Sequence, residues 1–211
     1  AEGYNRALTQ AANELVVFAH DDVEIVSPDF AARLLSVLRQ HDVAGIAGTY
    51  NIKGGAWHFA GHPHLRGQIA MPAANGLVVT IYGVTSVACG KLLALDGLLL
   101  AMRRDTALAI GFDAQTFDGW HLYDLDFTLR ASRSGLDCAS CNDILAVHAS
   151  QGTYDQEWIR YSERFLAKHR LERGGGIFHQ PELVSLPVGS VDEWRQMTEH
   201  LVSFGRKITG S

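Results

Sequence analysis

Apolar residues fall along this chain at two periods. Leu15–Ala19 reads LVVFA, a continuous apolar run of strand length. Such runs suit a strand buried on both faces, as in parallel sheets. The run stops at His20-Asp21-Asp22, and Tyr4–Asn13 before it reads as a helix. Ser27-Pro28-Asp29 then predicts a helix start, with Ser27 as N-cap, Pro28 at the first position and Asp29 in the first turn. Phe30, Leu34, Val37 and Leu38 recur at helical spacing, so Pro28–His41 is expected to be an amphipathic helix. Val43–Ala47 is the next short strand. Strand, helix and strand with short connections predict a βαβ unit with a right-handed crossover.

Tyr50–Asn75 lacks clear periodicity, and its glycines and prolines predict a long surface loop, functional at that length. Leu77–Tyr82, Ser86–Leu95 and Gly97–Met102 read as strands. Leu122, Leu125, Leu129 and Leu136 predict a helix over about His121–Ser134, stopped by Gly135. Ile144–His148 is the last predicted strand. Tyr154, Trp158, Tyr161 and Phe165 mark a helix to about Arg170, broken by Arg173-Gly174-Gly175-Gly176, and a further helix lies near Val191–Ser203. The sum is an α/β sheet layered by helices, whose ligands bind at the carboxyl ends of strands.

Composition narrows the classes. With 211 residues and 23.1 kDa, the chain fits one domain, or one domain with a tail. It is 47% hydrophobic and 19% charged, which excludes a disordered or fibrous chain. The net charge of −5 argues against nucleic acid as partner. No apolar run approaches a membrane span, and no amino-terminal segment has the order of a signal peptide. Three cysteines, two of them the neighbours Cys138 and Cys141, speak for a reducing compartment. The expected location is the cytoplasm, with peripheral attachment to a membrane left open. Because the chain begins at Ala1 and Gly3–Ala12 already reads like the interior of a fold, a processed or trimmed start is expected.

Five places could carry chemistry. Asp21 and Asp22 follow an apolar strand directly; adjacent carboxylates repel, and a bound Mg²⁺ or Mn²⁺ relieves that, the alternative being a capped turn. Asp96-Gly97 sits between two apolar runs, where the glycine permits close approach of a ligand or is simply a turn. Asp124 and Asp126 begin a helix and diverge by about 200°. One should therefore face the site while the other caps the helix or pairs with a cation such as Arg130. His148 ends a strand and could ligate a metal or neutralise a phosphate. His58, His62 and His64 resemble a zinc cluster, but no Cys or acid lies at ligand spacing, and a mobile loop over the site is the better reading.

Several segments, in order, resemble the family 2-like group of GT-A glycosyltransferases. Asn5-Arg6-Ala7-Leu8, Leu15–Phe18 and His20-Asp21-Asp22-Val23 are similar to the stretch around its metal-binding DXD motif. Leu95-Asp96-Gly97 looks like the acceptor-side Asp-Gly segment. Gly111-Phe112-Asp113, followed by Trp120-His121-Leu122-Tyr123-Asp124-Leu125-Asp126, is similar to the later Phe-Asp and Glu-Asp-x-Asp motifs. His148-Ala149-Ser150 with Gly152 looks like the closing His-x-Ser-x-Gly element. The likeness runs over roughly residues 3–170. His20 stands where the family has the first acid of DXD, and Tyr123 where it has Glu.

That resemblance implies a GT-A layered α/β/α domain and an inverting transfer of sugar from a nucleotide diphosphate sugar, a UDP-sugar foremost, to an acceptor hydroxyl. It implies Asp22 as metal ligand for Mn²⁺ or Mg²⁺ with His148 as a further one, and Asp21 beside them. It puts Asp124 at the catalytic-base position, Asp96 near sugar or acceptor, and His121 at the site edge. The family's first strand, helix and second strand hold the nucleotide base and normally precede the position of Gly3. The expectation is thus a catalytic domain over 1–175, truncated at its amino-terminal side, and an extension over 176–211 with a short helix. Two alternatives stay open: a non-catalytic relative that binds nucleotide-sugar or glycan, and a metal-dependent hydrolase built on His58, His62 and His64.

Overall fold

The computed structural model describes residues 1–150, 152–172 and 182–209. Helix α1 (Glu2–Gln10) leads into strand β1 (Leu15–Ala19), and a turn leads to β2 (Val23–Ile25). Helix α2 (Phe30–Leu38) connects to β3 (Val43–Gly45) and β4 (Ala47–Thr49). A 3-10 turn at Trp57–Ala60 precedes the hairpin of β5 (Leu65–Ala73) and β6 (Gly76–Gly83). Then come β7 (Ala88–Leu92), β8 (Ala94–Leu95), β9 (Leu99–Arg103) and α3 (Arg104–Ile110). Helix α4 (Tyr123–Arg133), β10 (Cys138–Cys141), β11 (Ala146–His148), α5 (Gln156–His169), β12 (Val184–Val188) and α6 (Val191–Thr209) complete the order.

The strands form two mixed sheets, so the expected α/β class holds. One runs β1-β9-β3-β10-β7; in the other, β12-β6-β5-β11-β2 form a path and β4 joins β5 to β8. Strands β1 and β3 each pair antiparallel with β9, so they run parallel with β9 between them rather than side by side. The βαβ expectation therefore holds for direction and not for adjacency.

Strand β1 is not the doubly buried strand its apolar run predicts. It lies at a sheet edge, antiparallel to β9, with only Phe18 buried and Val17 45% exposed. Phe18 packs on Tyr4 and Phe112, which cover one face alone. A run of apolar residues does not report how many faces are covered. The predicted loop over 50–75 also contains a nine-residue strand, β5. Most of β5 is buried on both faces, so no period-2 alternation shows. Ser27 does not cap α2; its Oγ accepts from the Leu145 amide at 2.8 Å and donates to the Asp143 carbonyl at 3.3 Å, tying the chain ahead of the helix to the approach to β11.

The main core spans both sheets and α4, α5 and α1. A smaller one, centred on Ala70, Val79, Val147 and Trp194, lies under α6. There buried Gln68 accepts from the Trp194 indole N–H at 2.8 Å and donates to the Asn142 carbonyl and Thr198 Oγ1, both at 2.8 Å. Gln68→Ala would strand the Trp194 indole N–H and the Asn142 carbonyl in a closed core and take one of two partners from Thr198 Oγ1, and urea unfolding should register a loss of about 2–4 kcal/mol. The helix break at Arg173–Gly176 and the expected boundary at 175/176 lie outside the described residues. Strand β12 pairs with β6 along its length, and α6 extends beyond its predicted end. Among the described residues no helix is long and apolar enough to cross a membrane, and the three cysteines are free and buried.

Candidate functional site

The end of β1 opens on a cavity of about 580 Å³. Its metal-competent corner is assembled by strand pairing. Strand β11 runs antiparallel to β2 with His148 opposite Val23, and the Ala149 amide donates to the Asp22 carbonyl at 3.0 Å. This register places His148 Nε2 3.2 Å from Asp22 Oδ1. His20 joins them, its ring centroid 5.5 Å from that of His148. One ligand atom from each of His20, Asp22 and His148 lies within 4.8 Å of the others, the only such group of three among the described residues. A hydrogen bond from Ser150, then the His148 and His20 charges, hold the Asp22 carboxyl below its usual range against slight desolvation. Tyr123 Oη lies 3.3 Å from His20 Nε2 and orients the ring.

Asp21 occupies the same turn but is exposed and stands outside the group of three. The third ligand-competent atom near Asp22 and His148 belongs to His20. Sequence reading treats His20 only as a replaced acid, although imidazole at that position is itself a ligand type.

The acids of α4 divide as their angular separation predicts. Asp126 is fully buried and turned away from the cavity; Oδ2 accepts from Arg130 Nε at 2.8 Å and Oδ1 from His169 Nε2 at 2.8 Å, with Lys168 Nζ at 2.5 Å. Asp124 lines the cavity, and its Oδ2 accepts from the Gly97 amide at 2.8 Å. Thr128 fixes this turn by donating to the Asp124 carbonyl at 2.8 Å and accepting from the Leu95 amide at 3.1 Å. Burial and, second, the Asp96 carboxylate push the Asp124 carboxyl up to about 6. The Gly97 and Leu125 amides and the charge of His20 oppose that rise.

Asp96 also lines the cavity. Its Oδ2 accepts the Trp57 indole N–H at 2.5 Å and its Oδ1 the Leu98 amide at 2.8 Å. The glycine beside it is sterically required, because a Cβ on Gly97 would lie 2.6 Å from Asp124 Cβ and 2.7 Å from Oδ2. Gly97→Ala should therefore displace the Asp124 carboxylate. NMR titration of the Asp124 carboxyl should register the displacement as a changed pKa, and a thermal melt separates this from unfolding.

His121 sits in the cavity wall, 6.2 Å between ring centroids from Tyr161. His58 lines the wall too, with Nε2 3.0 Å from Tyr154 Oη, and burial lowers its proton affinity. His62 and His64 do not line the cavity, so the three histidines assemble no zinc site among the described residues. Their segment is a packed wall rather than a loose cover, since Trp57, Phe59 and Ala60 are buried and Phe59 packs on Trp158. Trp57, Tyr82, Tyr154 and Trp158 also line the cavity; helical spacing marks Tyr154 and Trp158 as helix positions but none of the four as a site residue.

The model of a family described as glycosyltransferase like matches residues 1–170. Among curated proteins, none matches the chain.

Proposed function

The chain belongs to this glycosyltransferase-like family, and from that premise we propose that it transfers a sugar from a nucleoside diphosphate donor, a UDP-sugar, to an acceptor hydroxyl with inversion. The scaffold in this reading is of the GT-A type. The observation that carries it is Asp124: a carboxylate in the cavity, anchored by a backbone amide, with its pKa raised to about 6. Such a group is mostly ionised at neutral pH and accepts a proton more readily than an ordinary carboxylate. As the acceptor oxygen bonds to the anomeric carbon, its proton passes to Asp124. The bond from that carbon to the diphosphate oxygen breaks, and its electron pair leaves with the diphosphate.

His20, Asp22 and His148 would hold the divalent ion. Two imidazoles and one carboxylate fit Mn²⁺ better than Mg²⁺, which prefers oxygen ligands throughout. When bound, the ion supplies Lewis-acid stabilisation of the departing diphosphate. Tyr123 and Ser150 keep two of the ligands aligned. His121 reaches donor or acceptor from the wall, and Asp21 adds negative charge at the exposed turn. The free buried cysteines suit the cytoplasm.

The pH profile of kcat/KM tests the base assignment. It should rise tenfold per pH unit below about 6 and level off above it. A profile flat from pH 5 to 8 removes Asp124 from that role. Diphosphate binding without transfer to any hydroxyl would select the non-catalytic alternative.

A further inference from the structure

The wall away from the histidine–aspartate corner has a character of its own. Trp57 and Tyr82 meet at 4.6 Å between centroids, and Tyr154 and Trp158 at 4.8 Å. All four rings line the cavity, and Trp57 is tied to Asp96 through its indole N–H. Aromatic faces with a few fixed polar groups are what an amphipathic ring requires. The polar complement is hydroxyl and carboxylate: Thr80 and Ser185, 3.0 Å apart across β6 and β12, with Asp96. Charge completes the picture. Among the described residues the lining includes Asp96 and Asp124 but no Lys or Arg, and its histidine beside Trp57, His58, has its proton affinity lowered by burial. An anionic ligand in this bay would face the two carboxylates, and such like-charge placement is strongly disfavoured.

We infer that this aromatic bay takes an uncharged sugar ring as acceptor and rejects acidic sugars. The inference rests on the transfer reading above and specifies its substrate. Part of the bay is the chain's own, because Leu183 and Ser185 lie beyond the residues matched by the family. Acceptor choice is thus set partly outside the family's shared region.

The test is NMR titration of the full chain with methyl hexopyranosides and the matching methyl hexuronides, following the Trp57 indole N–H. Neutral glycosides should shift that signal, and each hexuronide should bind roughly tenfold or more weakly than its neutral counterpart. Asp96→Asn, which keeps the side-chain shape, should narrow the gap. Hexuronides binding as tightly as hexopyranosides, or no hexopyranoside moving the indole, would overturn the inference. A parallel titration with UDP and Mn²⁺ keeps the two ideas apart: failure there strikes the donor reading, whereas the glycoside series alone decides this one.

Discussion

Asp124→Asn is expected to stop sugar transfer while making the protein more stable at neutral pH. The amide keeps an oxygen for the Gly97 N–H but cannot take a proton from an acceptor hydroxyl. Loss of general-base catalysis costs about 10²–10⁴ in kcat, whereas diphosphate binding should survive. The stability effect follows from linkage. The folded carboxyl titrates near 6 against an ordinary 3.8, so the folded state binds the proton more tightly than the unfolded one. Stability therefore falls as pH rises from about 4 to 6, and above 6 the cost is fully present. Removing the charge recovers on the order of 1–3 kcal/mol at pH 7 and almost nothing at pH 3.5. Urea unfolding at both pH values checks this, and a variant that transfers sugar normally or is less stable at pH 7 would contradict it.

Two residues along the same helix, the expected effect is the opposite. Asp126→Ala should lose about 3–5 kcal/mol, because it removes the fully buried anion that half-buried Arg130 and Lys168 share. Arg130 also donates to the Ile110 and Gly111 carbonyls, both at 2.6 Å, and Lys168 also binds Asp113 at 2.7 Å. The carboxylate thus joins α4 to α5 and to the end of α3. Burial alone would raise the Asp126 pKa, but His169, Lys168 and Arg130 outweigh it and leave it lowered. For a depressed carboxyl the stabilisation is complete above the ordinary range and disappears as pH falls through the folded value. Wild type and variant should accordingly converge in acid. A loss below about 1 kcal/mol in urea at pH 7 would show that the cluster contributes little.

These two acids also show what the sequence carries and what it hides. Their roles separate by helix geometry alone, and Asp126 finds the Arg130 predicted for it. The carboxylates after Leu15–Ala19 are likewise legible, since a strand end is a local feature. His148 beside Asp22 is not, because the pairing of β2 with β11 joins residues more than 120 positions apart. The same holds for Trp57 against Asp96 and for His20 as a donor, which only tertiary packing brings about. Strand β5 escapes notice because burial on both faces erases its alternation. The edge position of β1 escapes because hydrophobicity records affinity for a core and not the number of faces covered. The short α3 and β10 carry too few residues for a period to show.

The most direct test of the site is calorimetric titration of the intact chain with UDP, with and without Mn²⁺, in wild type and Asp22→Asn. The account predicts UDP binding that depends on Mn²⁺ and weakens at least tenfold in the variant, roughly the loss expected for one charge-assisted ligand. UDP binding of equal strength without the ion, or undiminished in Asp22→Asn, would contradict it.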